Sequence, residues 1–298
     1  GFKDHMVFSN YGIILRDLGK LKEAEFSTRK AIEINPNDAI SYSNLGIILK
    51  DLGKLKEAEL STRKAIELNP NFAEDHSNLG NILRYLGKLK EAEISYRKAI
   101  KLNPDCAEAF FNLSLILIKE KKFKEGFNLY EWRWKIKNRH NSIGTKLQTT
   151  KPEWIPGNSS RVLLWAEQGI GDEILFSSMI PELVKKVDQL IVKVDERLIP
   201  LFRRSFDQKI IYSNKNNFID EECYDYQIGM GSLLKHLRTN KECLKRNQQQ
   251  YLKADEKQST IFREKLRSKN SKKIIGISWF STSVVNIKTK SMSLEEFK

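Results

Sequence analysis

The chain has 298 residues, of which 40% are hydrophobic and 30% are charged, an ordinary composition for a globular protein of about two domains. No stretch approaches the roughly 18 consecutive apolar residues that a membrane-spanning helix needs, so an integral membrane protein is not expected. The cysteines at 106, 223 and 243 are odd in number and far apart, which argues against a disulfide framework and a zinc site. A reducing, cytoplasmic location is the expectation.

The formal net charge is +14, and the lysines and arginines are spread along both halves of the chain. A strong positive field attracts polyanions, so binding of nucleic acid or of an anionic membrane surface is one hypothesis, which predicts retention on heparin that falls steeply with salt. The lysines are interleaved with glutamates, as in Lys20–Glu25 and its copies, a pattern typical of a solvated helix face. Aromatic residues do not alternate with arginines as a base-stacking surface requires, and we therefore expect no nucleic-acid partner.

The first half of the chain is one unit copied in tandem, because the Asn-Pro pairs at 35–36, 69–70 and 103–104 are each 34 residues apart. Small residues recur in three columns of the aligned copies, where two helices have to touch: Gly12, Gly46 and Gly80; Ala24, Ala58 and Ala92; Ala31, Ala65 and Ala99. Apolar residues recur beside them, as the buried stripe of a helix requires: Tyr11, Leu45, Leu79 and Leu113; Leu15, Leu49, Leu83 and Leu117. Each unit therefore predicts two antiparallel helices.

Turn residues separate the predicted helices. In the first three units a glycine follows the first helix, where it forms a left-handed cap at little cost, and the Asn-Pro pair ends the second helix. With this punctuation, residues 5–138 resemble four tetratricopeptide repeats. The fourth copy departs from the others, with Ser114 and Gly126 in the small-residue columns and the bulky run Tyr130–Trp134 in its last helix. We expect another part of the chain to pack on that end.

Beyond the repeats, the helical period disappears from 138 to 160 and turn-forming residues take over, which indicates a linker. Short apolar strands then alternate with helices. The predicted order is a strand at 161–166, a glycine turn at 169–172, a helix at 173–186, a strand at 189–194, a helix at 196–206 and strands at 209–212 and 273–279. This alternation predicts an α/β layer with a mainly parallel sheet.

The turn Gly169–Asp172 is the candidate ligand site of this layer, because ligands of parallel sheets bind outside the carboxyl ends of strands, near helix N-termini. A dinucleotide fingerprint is incomplete there, since Ile174 stands where its third glycine belongs, so a nicotinamide cofactor is not expected. The four histidines are scattered without the spacing of metal ligands, and no metal site is expected.

Three motifs together resemble bacterial repeat proteins that carry a glycosyltransferase domain similar to the lipopolysaccharide heptosyltransferases, of the GT-B type. They are Tyr130–Trp134, Pro152–Gly157 and Leu163–Phe176, and the last contains the Gly-Asp pair that opens the first helix of that domain. More distantly, the layout resembles the O-linked N-acetylglucosamine transferases. The resemblance implies a tetratricopeptide α-solenoid at 1–137, a linker at 138–160, a first Rossmann-like α/β lobe at 161–272, and a truncated second, donor-binding lobe at 273–298.

The resemblance also implies a catalytic role for the glycine turn. Asp172 matches the family's general base, which takes the proton of the acceptor hydroxyl, and Gly169 and Gly171 let the backbone approach the acceptor. The alternative is that Asp172 caps its helix, since aspartate is a preferred cap and its charge is favoured by the helix dipole.

In the second lobe, the resemblance implies that Lys290 meets the donor phosphates, with Thr282 and Ser283 as accessory hydroxyls. Some relatives have arginine in place of this lysine, which leaves a bidentate phosphate contact open. The alternative is an ordinary solvated surface loop.

The O-linked transferases line their concave groove with an asparagine ladder that binds peptide backbone, and a matching column occurs here: Asn10, Asn44, Asn78 and Asn112. The resemblance therefore implies a protein or peptide partner in the repeat groove. The alternative is that each amide bonds to the next helix.

Together these features predict a glycosyltransferase that moves a sugar from a nucleotide-sugar donor to an acceptor recruited by the array, either a protein or a surface-polysaccharide intermediate. The nucleotide sugar is a co-substrate, and no other cofactor or metal is expected. The chain itself is expected to be a fragment truncated at both ends that binds nucleotide sugar weakly or not at all. The alternative is a non-enzymatic tetratricopeptide scaffold for protein–protein interaction.

Overall fold

The computed structural model describes residues 4–136, 146–240, 242–243 and 250–267. The residues up to Leu252 form one compact unit, and the helix Glu256–Arg267 belongs to a second. Within the described residues, no helix is both long and apolar enough to cross a bilayer. The first unit consists of a helical array followed by a parallel sheet with its covering helices.

The array consists of paired helices, as the repeat period predicts. The pairs are α1 (His5–Asp17) with α2 (Leu21–Ile34), α3 (Ala39–Asp51) with α4 (Leu55–Leu68), α5 (Ala73–Tyr85) with α6 (Leu89–Leu102), and α7 (Ala107–Lys119) with α8 (Phe123–Tyr130). A short 3₁₀ helix, Glu131–Lys135, follows α8. The predicted glycine turns are confirmed, because the glycines at 19, 53 and 87 have φ values of 77°, 78° and 77°. In the fourth pair Lys121 takes this conformation, at φ 64°.

The small-residue columns lie where the two helices of a pair touch. A Cβ atom on Gly46 would lie 2.2 Å from Oγ1 of Thr62, so that position has room for glycine alone. In the fourth pair the small residue has moved to the other helix. Ser114 is fully buried on α7, and a Cβ on Gly126 of α8 would lie 2.8 Å from the Ile118 side chain. The exchange explains how this pair keeps the close contact despite its different sequence.

One predicted buried position is wrong. Tyr11 is 53% exposed, whereas Leu45, at the same place in the second pair, is buried. Ile14 and Ile48 differ in the same way, at 54% and 0% exposure. In the second pair these side chains pack against the preceding pair, and no described element packs on that side of α1.

The sheet contains four parallel strands in the order β3-β2-β1-β4, which confirms the predicted parallel α/β layer. The strands are β1 (Arg161–Trp165), β2 (Gln189–Val194), β3 (Ile211–Asn214) and β4 (Tyr226–Gly229). The strand predicted at 209–212 begins two residues later, and β4 was not predicted. The strand predicted at 273–279 lies outside the described residues.

The helix predicted at 173–186 is divided. It consists of α9 (Ile170–Phe176), a 3₁₀ turn at 177–179 and α10 (Ile180–Leu183). Pro181 lies in the first turn of α10, where its missing N–H costs nothing, but it cannot continue the preceding helix. The other covering helices are α11 (Ile199–Ser205), preceded by a 3₁₀ turn at 196–198, and α12 (Leu234–Leu237).

Both faces of the central strand are covered. Val162 and Leu164 belong to the main core under the helices, whereas Leu163 packs with Ile191 and Tyr224 on the other face. Part of the segment predicted as a linker belongs to this fold, because its backbone at 152–154 hydrogen-bonds to Gln227 of β4 and Trp154 is fully buried. The buried indole explains why this stretch packs on the sheet despite its turn-rich composition.

Candidate functional site

The glycine turn lies at the carboxyl end of the central strand. β1 ends at Trp165, α9 begins at Ile170, and the N–H groups of Asp172 and Glu173 donate to the carbonyl oxygen of Gly169 at 2.9 and 3.0 Å. Since β2 lies on one side of β1 and β4 on the other, the chain order reverses at this strand. In parallel sheets, ligands bind beside such a reversal.

Asp172 is half-exposed in the third position of α9, and no hydrogen bond to its carboxylate occurs within the described residues. The N-cap residue of the helix is Gly169, so no side chain caps the helix from that position. A Cβ on Gly169 would lie 3.8 Å from Asp172 Oδ2, and one on Gly171 would meet nothing within 4 Å. The carboxylate is therefore available to a ligand, and its role as a base stays a prediction.

Next to this turn, the last residues of the array enter the α/β domain. Arg133, in the 3₁₀ helix after α8, donates from Nη2 and Nε to Glu167 Oε1 at 2.8 and 3.2 Å. The side chains of both residues are completely shielded from solvent. The Arg133 guanidinium also lies between the rings of Tyr130 and Trp134, 4.4 and 4.3 Å from their centroids.

Two glycines of the β4 end surround the Glu167 carboxylate. A Cβ on Gly229 would lie 2.2 Å from Oε2, and one on Gly231 would lie 2.3 Å from Oε1. Oε2 is buried without a hydrogen-bond partner among the described atoms. Burial raises the pKa of Glu167 to about 7, although the charge of Arg133 acts in the opposite direction. The reversal point of the sheet therefore holds an ion pair between the array and the α/β domain.

Further bonds extend this contact between the array and the sheet. Arg133 Nη2 donates to Ser232 Oγ at 2.8 Å, and Ser232 Oγ donates to Glu131 at 2.9 Å. Lys235 lies 3.2 Å from Glu131 and 2.5 Å from Glu153. These contacts confirm that another part of the chain packs on the bulky end of the array. The sequence signal was the run at 130–134, but nothing in it pointed to Glu167 as the partner of Arg133.

A second charged cluster holds the other side of the turn. Glu173, which is almost fully buried, accepts hydrogen bonds from the Asp195 backbone N–H at 2.8 Å and from Lys215 Nζ at 3.0 Å. Lys215 also lies 3.3 Å from the Asp195 carboxylate. The pKa of Asp195 is lowered, first by the hydrogen bond from Arg197 and then by Lys215. This cluster fixes the start of α9 to the carboxyl ends of β2 and β3.

Between these two clusters lies a cavity of about 300 Å³ at the carboxyl edge of β1, β2 and β3. Its polar and aromatic lining includes Trp165, Glu167, Gln168, Lys193, Lys215 and Asn216. Lys193 and Lys215 were not singled out by the sequence, because a lysine inside or just after a strand is an ordinary surface residue until the register is known.

The asparagines of the predicted ladder differ in their surroundings. Asn44 donates to Ser9 Oγ at 3.0 Å, and Asn112, which is 7% exposed, donates to Asn81 Oδ1 at 3.1 Å. These two amides link neighbouring pairs of helices, through side chains rather than the backbone. Asn10 is exposed and Asn78 is half-buried. A peptide groove stays a prediction, in which the amides of Asn10 and Asn78 have no side-chain hydrogen bond within the described residues.

The residues predicted to meet the donor phosphates, Lys290, Thr282 and Ser283, lie outside the described residues. Among the described residues, no three His, Cys, Asp or Glu side chains are grouped as a metal site requires.

The array is also similar to known proteins. FlbA from Caulobacter vibrioides is 27% identical over an alignment of 137 residues, which covers 41% of this chain and 23% of FlbA, so the chain spans about a quarter of that relative. A structure from the functional characterisation of Pseudomonas aeruginosa pilF is 25% identical, over 43% of this chain and 58% of that one, with a TM-score of 0.41. YrrB, described as having an unusual peptide-binding site, is 24% identical over 44% of this chain and 67% of its own, with a TM-score of 0.40.

Family models for the tetratricopeptide repeat match residues 7–38, 39–72 and 73–106. These segments coincide with the first three helix pairs and with the 34-residue period of the sequence. Residues 7–106 are therefore tetratricopeptide repeats.

Proposed function

We propose that the chain belongs to a glycosyltransferase, in which the repeat array recruits an acceptor and the α/β domain takes part in moving a sugar onto it from a nucleotide-sugar donor. The proposal rests on the motif resemblance and on one observation. Asp172, the residue that matches the family's base, has an available carboxylate at the carboxyl edge of the central strand, in the first turn of α9.

In this proposal Asp172 takes the proton of the acceptor hydroxyl. The hydroxyl oxygen then forms a bond to the anomeric carbon of the donor sugar, the bond from that carbon to the phosphate oxygen breaks, and the nucleotide leaves with the electron pair. The resemblance implies that Lys290, with Thr282 and Ser283, stabilises the negative charge that develops on the leaving phosphate.

The test is sugar transfer by the protein expressed from its complete reading frame, with a panel of labelled nucleotide sugars. Asp172→Asn keeps the shape of the side chain but removes the base, so the rate is expected to fall by roughly 10²- to 10⁴-fold. The matched control is Asp188→Asn, on the exposed turn before β2, which should transfer at the wild-type rate. Transfer by Asp172→Asn at the wild-type rate would remove Asp172 from the mechanism.

A non-enzymatic scaffold is the second candidate. It is favoured by the Arg133–Glu167 pair, because this pair and its surrounding rings fill the reversal point where a parallel sheet otherwise binds a ligand. A tetratricopeptide array alone indicates an interaction module. If the protein is a scaffold, we expect no sugar transfer with any nucleotide sugar. Binding of an identified partner protein should then be weakened by Asn78→Ala and unchanged by Asp172→Asn.

A further inference from the structure

The cavity beside the glycine turn is suited to a ligand by its place in the fold. It opens at the carboxyl edge of three adjacent parallel strands, and its volume of about 300 Å³ lies at the small end of ligand pockets, enough for a single sugar ring. Trp165 lies in its wall, where its almost fully buried indole donates to Gln227 Oε1 and closes the cavity on the β4 side. The polar groups of the cavity determine which ligand it accepts.

The two lysines of the cavity differ in their partners. Lys215 is neutralised by Glu173 and Asp195, at 3.0 and 3.3 Å. Lys193, opposite Trp165 in the β1–β2 register, is half-buried and makes no ion pair within the described part of the chain. Burial lowers its pKa. A partly buried ammonium group without a counter-charge is unfavourable, and an anion entering the cavity would relieve this cost.

Glu167, the carboxylate in the cavity lining, does not form an ion pair with Lys193. Oε1 of Glu167 accepts from Arg133, and its Oε2 atom is directed against Gly229. Gln168 donates from Nε2 to the hydroxyl of Tyr130 at 2.7 Å, so its side chain is held on the same side as the array. Among the described residues that line this cavity, Lys193 therefore carries the charge that no carboxylate compensates.

We propose that the cavity binds an anionic group on a sugar-sized ligand, a phosphate or a carboxylate, with Lys193 as its ion-pair partner. That this ligand is the acceptor of sugar transfer rests on the proposed function, whereas binding of the anion does not. The assignment names a substrate class: an acceptor that carries a negative charge next to the ring that is modified.

The experiment is a titration of the protein with three sugar-sized probes and one smaller anion, followed by calorimetry or NMR. The probes are glucose 6-phosphate, glucuronate, neutral glucose and inorganic phosphate. Saturable binding of glucose 6-phosphate or glucuronate, at least tenfold tighter than that of glucose, is expected, since charge-assisted hydrogen bonds are about twice as strong as neutral ones. The tighter of the two probes identifies the group as phosphate or carboxylate, and a preference for inorganic phosphate over both sugars would contradict a sugar-sized ligand.

Variants connect the binding to the lysine. Lys193→Gln should lower the affinity for the preferred probe at least tenfold, and Lys193→Arg should retain most of that affinity. The control is Lys209→Gln, an exposed lysine before β3, which should bind like the wild type. Equal losses in the Lys193→Gln and Lys209→Gln variants would indicate a non-specific effect of net charge and would overturn the proposal, as would unchanged binding by Lys193→Gln.

A second measurement does not depend on folding of the variants. Because burial lowers its pKa, Lys193 should react with an amine-specific reagent near neutral pH faster than Lys209, and the preferred probe should protect it. Absence of protection at a saturating probe concentration would contradict the assignment. These measurements use no sugar donor, so their failure leaves the role of Asp172 unaffected. Transfer by Asp172→Asn at the wild-type rate would contradict the proposed function but would leave the anion site unaffected.

Discussion

The guanidinium of Arg133 lies 2.8 Å from the carboxylate of Glu167, and neither side chain has any solvent-exposed surface. Arg133 comes from the end of the array and Glu167 from the turn after the central strand. The ion pair therefore joins the array to the α/β domain at the point where the sheet reverses its order. A buried pair of this kind is costly to break, because the remaining partner is left as an uncompensated charge.

Arg133→Met should destabilise the α/β domain by about 3–5 kcal/mol at pH 8, because it leaves the Glu167 carboxylate buried without a cation. Urea unfolding followed by the fluorescence of Trp134 and Trp165, which lie at this contact, measures the effect. The double variant Arg133→Met with Glu167→Gln should recover part of the loss, since the remaining side chain is neutral.

The control for this prediction is Arg161→Ala, which breaks the bidentate pair between Arg161 and Asp225. Those side chains are 44% and 39% exposed, so solvent can replace their contact and the change should be much smaller. Equal losses of stability in the two arginine variants would show that burial does not increase the contribution of the Arg133–Glu167 pair.

Glu167 should also make stability depend on pH. Its folded pKa, raised to about 7 by burial, lies above the ordinary value of 4.5 that applies to the unfolded chain. The folded state thus binds this proton more tightly, and the associated stability is present below pH 4.5 and is lost as the pH rises through about 7. Between these values, Glu167→Gln should lose less stability with rising pH than the wild type. Parallel slopes for the two proteins over that range would contradict the assignment.

The repeat architecture was predictable because each constraint recurs at a fixed period. A glycine with φ near 77° or a contact with no room for a Cβ atom occurs three times at the same place, so the sequence shows it as a column. The exception is Tyr11, whose column is buried only where a preceding pair of helices packs on it. The residue types at this position could not show the difference in burial, because burial there depends on whether another pair of helices packs on it.

The site was predictable only in part. A strand followed by a glycine and a helix follows from local composition, but the helix begins at Ile170, so Gly171 and Asp172 of the predicted turn at 169–172 lie in its first turn. The partnership of Arg133 and Glu167, 34 residues apart, depends on how two different architectures meet, for which the chain has no periodic signal. Strand β4 was missed because its four residues are too few for an alternation and include Gly229.

Gly46→Ala should destabilise the array by about 1–3 kcal/mol, because the new methyl group would lie 2.2 Å from the buried Oγ1 of Thr62 and the helices would have to separate. Thermal unfolding followed by helical circular dichroism measures the loss. Adding Thr62→Ala removes the obstructing atoms and should restore a large part of the stability, which general damage to helix α3 would not allow.

The control substitution is Gly171→Ala. A Cβ there meets nothing within 4 Å, and the residue lies inside α9, where alanine is the better helix former by about 1 kcal/mol. The variant should therefore be as stable as the wild type or more stable. A loss of stability would mean that this glycine supports a conformation other than the helix.

The outer face of the array carries a ladder of ion pairs that should contribute little. Arg63 of α4 bonds Glu59 on its own helix and Glu91 on the next pair of helices, and Lys88 also reaches Glu59, with matching contacts one unit earlier and one unit later. Nearly half of the Arg63 side chain is exposed, so water and salt screen these charges. Arg63→Met should lower the free energy of unfolding by less than about 1 kcal/mol in low salt.

Salt and pH distinguish this ladder from the buried pair. In 1 M NaCl the effect of Arg63→Met should disappear, whereas that of Arg133→Met should persist, because buried charges are screened much less.

The pH dependence of the ladder follows from Glu59. Burial raises the pKa of Glu59, but Lys88 and Arg63 lower it by more, so its folded value lies below 4.5. The stability that Glu59 contributes is therefore present above pH 4.5 and is lost as the pH falls through the folded value, opposite in sign to Glu167. Urea unfolding of both variants at two salt concentrations, and at pH 3 and 7, checks each part, and a salt-independent loss in Arg63→Met would show that the ladder acts by packing.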